Sequence, residues 1–360
     1  MGSWGEILRE VTKSGEERGA AGPDLDGIRL KYIEAIRQVT GRAVIVYASG
    51  WLRKDGSGID ASVTSADVHA LMESCHGVED RRVDLIIHSP GGSPTAAEQM
   101  INYLRTQFDE LVAYIPLQAK SAATMMALGC DEIWMGRHSE LGPIDPQVLI
   151  PVAEGQRYAP AHAIVRDFDR AKREIAENIT ALPAWTPILR GYAGGLLDFC
   201  TQQIKLSQEV VAKWLEQYML AHGDAGIAEA DRASRALEIA EYFGSDVSYE
   251  RFKTHGRPIR IEELSTVQGL RVRALEENDK LQDAVLSLYH TLDISFGGPA
   301  IKIVENHKGA RYVRAQQQLL IPIQPSQPAP PLPSPPLAPG VPQPPTPSRA
   351  ERRRQERGRK

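Results

Sequence analysis

The sequence contains few cysteines, and their number and spacing exclude two kinds of scaffold. Three cysteines, Cys75, Cys130 and Cys200, are spread along 360 residues. An odd number at this wide spacing fits neither a disulfide framework nor a zinc site. We therefore expect buried, reduced thiols, and the sequence predicts no metal and no other cofactor.

Long hydrophobic runs are also missing. No uninterrupted apolar stretch approaches the roughly 20 residues that a membrane-spanning helix needs. The first residues, from Met1 to Arg18, are charged and lack the apolar core of a signal peptide. We therefore expect a soluble, cytoplasmic protein without a membrane span.

A large excess of charge is absent as well. The formal net charge is −4, although basic residues are concentrated between residues 349 and 360. The rest of the chain is therefore acidic, and nucleic acid is not an expected partner.

The first half of the chain alternates short apolar runs with helical patterns. This alternation is typical of a parallel α/β sheet, in which ligands bind at the carboxyl ends of the strands. Strands are predicted at residues 43–47, 83–88, 111–115 and 133–135.

The composition changes along the chain and predicts four parts. Residues 1–23 form a flexible arm, residues 24–155 an α/β domain and residues 156–314 a helical region. Residues 315–360 form a disordered, proline-rich and basic tail, because more than half of the 25 prolines lie between residues 322 and 347. Such a tail can bind a partner that reads proline-rich segments.

Two short motifs follow predicted strands and carry the candidate chemistry. Residues 89–93 read Ser-Pro-Gly-Gly-Ser, and residues 119–124 read Ala-Lys-Ser-Ala-Ala-Thr. The glycines allow successive backbone N–H groups to converge, and Ser121 stands at a strand-to-helix junction. Ser121 is the candidate nucleophile for acyl transfer, although a serine at this place also often caps the helix.

These motifs, together with residues 131–136 and 139–147, resemble the serine dehydrogenase proteinase family. Its members are Clp/crotonase-like serine peptidases related to signal peptide peptidase A. The resemblance covers roughly residues 24–314. It implies a Clp/crotonase-like parallel sheet with flanking helices, completed by the helical region. It also implies peptide or protein substrates and a homo-oligomer.

The resemblance further implies how the oxyanion is held. It assigns the backbone amides of Gly92, Ser93 and Ala122 to the oxyanion hole, with Gly91 in the same cradle. A simple strand-to-helix turn at Pro90 and Gly91 is the alternative use of this motif.

The sequence does not decide which residue is the general base. The histidine of Clp proteases is missing where the alignment places Asp145. Signal peptide peptidase A relatives use a downstream lysine, which corresponds to Lys172. Both residues are candidates, and His88 and His138 are further ones. Lys120 is a poor base, because neighbouring side chains at a helix start point apart.

Two other functions are compatible with the pattern. One is a crotonase-type acyl-CoA enzyme, which also uses paired amides. The other is a non-catalytic Clp-fold scaffold that presents the proline-rich tail.

Overall fold

The computed structural model describes residues 2–54, 60–152 and 155–316. Nearly all of the predicted disordered tail, from residue 317 onward, lies outside the described residues. The helices are α1 Trp4–Arg18, α2 Leu25–Thr40, α3 Trp51–Lys54, α4 Asp67–Cys75, α5 Pro94–Gln107, α6 Ala122–Leu128, α7 Ala161–Glu177, α8 Leu182–Arg190, α9 Leu196–Gln217, α10 Arg232–Gly244, α11 Asp246–Phe252, α12 Ile261–Leu264 and α13 Asp279–Phe296. The strands are β1 Ala43–Ser49, β2 Arg82–His88, β3 Glu110–Ile115, β4 Gln118–Ala119, β5 Glu132–Met135, β6 Glu140–Leu141, β7 Gln147–Val152, β8 Gly155–Pro160, β9 Val272–Ala274, β10 Ala300–Asn306 and β11 Arg311–Ala315.

A seven-stranded sheet in the order β11-β10-β1-β2-β3-β5-β9 forms the centre of the fold. The pairs from β1 through β9 are parallel, whereas β10 runs antiparallel to β1 and β11. Every residue of β1 is buried, as expected for a parallel strand covered on both faces. The predicted α/β class with a parallel sheet is therefore confirmed.

Successive residues of the strands pack into two separate cores. Ile45 and Leu85 face a core shared with helices α4, α5, α6, α9 and α10. Val46 and Ile86 face the opposite core, which α2 and α13 complete. This alternation follows from the two-residue period of a strand.

The chain after residue 156 returns to the same sheet at both of its edges. Strand β9 pairs with β5, and β10 pairs with β1. The described part of the chain therefore packs as one compact unit rather than as separate domains. None of its helices combines the length and apolar character needed to cross a membrane.

Two segments differ from the elements expected from the sequence. Residues 4–18, predicted as part of a flexible arm, form α1 with a capping box between Ser3 and Glu6. Ile7 and Val11 lie one helical turn apart and are buried. Residues 272–274, which fall in the region predicted to be helical, form strand β9 at the sheet edge, where tertiary pairing outweighs helical periodicity.

Candidate active site

Ser121 has an unusual backbone conformation at the carboxyl side of the sheet. It precedes α6 with φ 50° and ψ −120°, and its side chain makes no capping hydrogen bond. Ser121 and Lys253 are the non-glycine residues with positive φ among those described. Such strained backbone is typical of a nucleophile on a sharp strand-to-helix turn. The conformation therefore favours a nucleophile over a helix cap.

Gly91 packs directly against this turn. A Cβ atom on residue 91 would lie 2.3 Å from the Lys120 carbonyl oxygen and 2.7 Å from the Ser121 Cβ. It would also lie 2.9 Å from the amide nitrogen of Ala122, and Gly91 has φ +86°. Only glycine permits both the conformation and the close approach. The predicted glycine motif therefore lies beside the predicted nucleophile.

The amides predicted for the oxyanion hole fall into two groups. The Ser93 N–H donates to the Val63 carbonyl at 3.0 Å, and the Gly91 N–H donates to the Ser89 hydroxyl at 3.2 Å. Within the described residues, no acceptor takes a hydrogen bond from the amides of Gly92 or Ala122. These two donors are the ones available to a developing oxyanion.

A small ladder joins the loops that carry the site. Ser89 bridges Ala119, β4 pairs with β6, and Leu141 bridges Ile259. The Leu141 and Ile259 backbones exchange hydrogen bonds of 2.9 and 3.0 Å. This ladder holds together, at the carboxyl ends of the strands, the segments that carry Gly91, Ser121, Asp145 and His255.

His255 lines the same cleft as Ser121 and lies on a loop that the sequence-based assignment did not include. Lys253 ends α11 with φ 65°, and the chain then turns toward the ladder. His255 Nδ1 lies 2.7 Å from Asp145 Oδ1, and Asp145 is 3% exposed. The other Asp145 oxygen accepts from Gln147 Nε2 at 2.8 Å. Both carboxylate oxygens are therefore occupied.

Ser121 and His255 line the same cleft of about 550 Å³. Among the described residues that line the cleft, none is an aspartate, glutamate, lysine or arginine. The lining residues are Ser62, Val63, Thr64, Pro90, Gly91, Gly92, Ser93, Pro94, Ser121, Ile144, Pro146, Gln147, Val148, Tyr158, Phe199, Gln203 and His255. Such an environment suits uncharged substrate groups, because a charge placed there would lose hydration without gaining a partner. Among the described residues, no group of three or more His, Cys, Asp or Glu side chains is arranged to hold a metal ion.

The other predicted base candidates lie elsewhere. Lys172 is exposed on α7 and does not line the cleft. His138 Nε2 contacts the Pro116 carbonyl at 3.0 Å. His88 is buried between the rings of Trp51 and Tyr289, and burial lowers its pKa to about 4. The structure brings none of these three side chains into the cleft with Ser121.

Lys120 is adjacent to Ser121 but faces away from the cleft. Burial lowers the pKa of Lys120, while its ion pair with Glu140 at 2.8 Å opposes that shift. Its ammonium also donates to the Leu141 carbonyl at 3.2 Å. Lys120 therefore ties the serine turn to β6.

Residues 63–182 match the family model described as ClpP-like SDH-type serine proteinase. This match contains Ser121, Asp145 and the glycine loop but ends before His255. The predicted resemblance to the serine dehydrogenase proteinase family is thus confirmed over this segment.

Two uncharacterized proteins of Methanocaldococcus jannaschii are similar to this chain. MJ1495 is 27% identical over 247 residues, which are 68% of this chain and 71% of that protein. MJ0137 is 36% identical over 202 residues, which are 56% of this chain and 57% of that protein.

Two solved structures of variants of the 1510-N membrane-bound stomatin-specific protease are also similar. One is 14% identical, has a TM-score of 0.35 and covers 62% of this chain and 79% of its own. The other, in complex with a substrate peptide, is 16% identical, has a TM-score of 0.27 and covers 59% and 86%. TM-scores below 0.5 do not establish a common overall fold.

Proposed function

We propose that this chain is a serine peptidase whose nucleophile is Ser121. The main support for this proposal is the strained turn at Ser121, whose side chain does not cap the helix. The turn lies in a cleft that also contains a histidine hydrogen-bonded to a carboxylate. Family resemblance over residues 63–182 supports peptide chemistry. The described residues of the cleft lining include no lysine or arginine that could pair with the phosphates of an acyl-CoA.

His255 is the proposed general base. An ionised Asp145 carboxylate can only accept a hydrogen bond, so in this proposal His255 Nδ1 carries the proton. In the neutral imidazole this leaves Nε2 as the acceptor, which is the tautomer that a serine base requires. His255 accepts the Ser121 proton during attack and returns it to the leaving amine, while Asp145 stabilises the imidazolium.

The oxyanion is proposed to bind the amides of Gly92 and Ala122. The Ala122 N–H belongs to the first turn of α6, where backbone donors lack helical partners. The Ser121 oxygen attacks the peptide carbonyl carbon, and negative charge moves to the carbonyl oxygen between these two donors. Collapse of this intermediate breaks the C–N bond and leaves an acyl-enzyme, which water hydrolyses.

Labelling by a fluorophosphonate probe tests the nucleophile. Wild-type protein should be labelled, and Ser121→Ala should not be labelled. Ser245→Ala is a matched control, because Ser245 caps α11 and lies outside the cleft lining. Equal labelling of wild type and Ser121→Ala would overturn the assignment.

Peptide hydrolysis by two further variants tests the base. If His255 is the base, His255→Gln should lower kcat by roughly three to six orders of magnitude, while Lys172→Arg should retain activity. The reverse pattern would favour the lysine predicted from family spacing, because arginine stays protonated.

The predicted homo-oligomer, cytoplasmic location and tail partner stay predictions.

A further inference from the structure

A buried ion pair lies behind the cleft, outside its lining residues. Lys302 Nζ in β10 lies 2.9 and 2.7 Å from the two carboxylate oxygens of Asp67 in α4. Lys302 is 0% exposed and Asp67 is 3% exposed. The Tyr47 hydroxyl donates to the same carboxylate at 2.9 Å. Both charges have given up most of their hydration, so their geometry is strongly determined.

This pair holds the loop of residues 62–64 at two points. The Lys302 ammonium donates to the Ser62 carbonyl, and the Thr64 N–H donates to Asp67 Oδ2 at 2.8 Å. The loop is therefore fixed on both sides of Val63. Ser62, Val63 and Thr64 all line the cleft.

Val63 in turn holds the glycine loop. The Val63 N–H donates to the Gly91 carbonyl at 2.7 Å, and the Ser93 N–H donates to the Val63 carbonyl at 3.0 Å. Gly92 lies between these two bonds, so the peptide groups on each side of it are fixed. A Cβ atom on residue 92 would lie 2.5 Å from both the nitrogen and the oxygen of Val63.

We propose that Lys302 and Asp67 are positioning residues that orient the Gly92 amide through the loop of residues 62–64. This inference rests on the proposed peptidase function of Ser121. Neither charged residue is among the residues that line the cleft. We expect them to affect the transition state most, because a misdirected oxyanion donor reduces the stabilisation of the transition state more than it reduces the affinity for the peptide.

Lys302→Met removes the ammonium and tests the proposal in the full chain. The matched control is Arg29→Met, which breaks another buried ion pair, Arg29 Nε to Glu305 Oε1 at 2.6 Å. Glu305 lies on the same strand as Lys302, but neither partner of the control pair lines the cleft.

We expect Lys302→Met to lower kcat and the rate of fluorophosphonate labelling about tenfold, since a small misplacement can weaken catalysis to that extent. KM should change less than about threefold. In a Ser121→Ala background, Lys302→Met should leave the Kd for a substrate peptide unchanged. A peptide boronate should bind about tenfold more weakly to Lys302→Met with Ser121 intact. Arg29→Met should retain wild-type kcat.

A melting curve and circular dichroism identify a variant that fails to fold. In that case the paired variant Lys302→Met/Asp67→Asn removes both charges while keeping an acceptor for Thr64. Unchanged kcat and labelling in a folded Lys302 variant, or an equal loss in Arg29→Met, overturns the positioning role alone. A wild type that the probe does not label overturns the proposed peptidase function and this inference together.

Discussion

The two walls of the cleft differ in how they are held. One wall, from residues 62–64, 90–93 and 121, is fixed by backbone hydrogen bonds to the sheet-end ladder and by buried side chains. Another part of the lining, called here the exposed wall, contains Tyr158 from β8 and Phe199 from α9, which are 70% and 50% exposed. The fixed wall carries the proposed nucleophile and oxyanion donors, and the exposed wall presents apolar side chains to the cleft.

This difference separates the chemical step from substrate binding. Changes in the fixed wall should lower kcat, because the reacting atoms must be held within a fraction of an ångström. Changes in the exposed wall should raise KM, because its apolar groups act on substrate and transition state alike.

Apart from the Ser121 and His255 variants described above, the largest expected effect comes from Asp145→Asn. An amide can favour the wrong imidazole tautomer, so kcat should fall by roughly three to four orders of magnitude. Steady-state peptide hydrolysis measures the change. The control is Asp246→Asn, which alters an equivalent contact, His162 Nδ1 to Asp246 Oδ1 at 2.7 Å, outside the cleft lining. Similar losses in both variants would contradict a role for Asp145 in the reaction.

Gly91→Ala should have the next largest effect. The added methyl group would meet the Lys120 carbonyl and the Ser121 Cβ, so we expect kcat to fall about 100-fold. Gly41→Ala is the control, because Gly41 has φ +68° but nothing within 4 Å of the added atom. It should lower the free energy of unfolding by about 1 kcal/mol and leave kcat unchanged. Retained activity in Gly91→Ala would show that the glycine loop tolerates displacement.

A smaller effect should follow from Phe199→Ala in the exposed wall. Loss of part of the ring contact should raise KM for apolar peptides about tenfold, with kcat nearly unchanged. Phe168→Ala removes another partly exposed ring, 36% accessible on α7, which does not line the cleft. A fall in kcat without a rise in KM would remove the distinction between the two walls.

The smallest effect at neutral pH should come from His88→Phe, at the end of β2 behind the fixed wall. Burial lowers the pKa of His88 from 6.5 to about 4 in the folded chain. The unfolded chain therefore binds this proton first, and stability is lost as pH falls from about 6.5 to about 4. The loss reaches roughly 3 kcal/mol at pH 4.

Urea unfolding midpoints at pH 7.5 and pH 5 measure this contribution. His88→Phe keeps a ring between Trp51 and Tyr289 but cannot be protonated, so its midpoint should fall less between the two values. Equal falls of the urea midpoint in the variant and in wild type would show that His88 does not contribute to the loss of stability at low pH.

Local patterns predicted the fold and the two motifs that meet at the cleft. Apolar runs gave β1, β2, β3 and β5, and the motifs around Gly91 and Ser121 were assigned because each follows a strand. These features depend on residues close together in the chain. The buried, strained and close-packed surroundings of Ser121 agree with its assignment as the candidate nucleophile.

His255 had no comparable local signal. It follows a short helix in a polar loop, beyond the segment that matches the family model. Its pairing with Asp145 depends on the antiparallel contact between Leu141 and Ile259, which no local periodicity encodes. Lys172 was predicted from family spacing, but the phase of α7 turns its side chain to solvent.

The pairing of Leu141 with Ile259 also determines when the site can appear during folding. Closing so long a loop has an entropic cost that nearby pairings do not have, and contacts of this kind slow folding. The turn that carries Ser121 needs only segments between residues 89 and 141, whereas His255 arrives with the later contact. In a chain that emerges from the ribosome, the turn with the proposed nucleophile can therefore form before the proposed base is in place, and we expect any peptidase activity to appear only after residue 259 has docked.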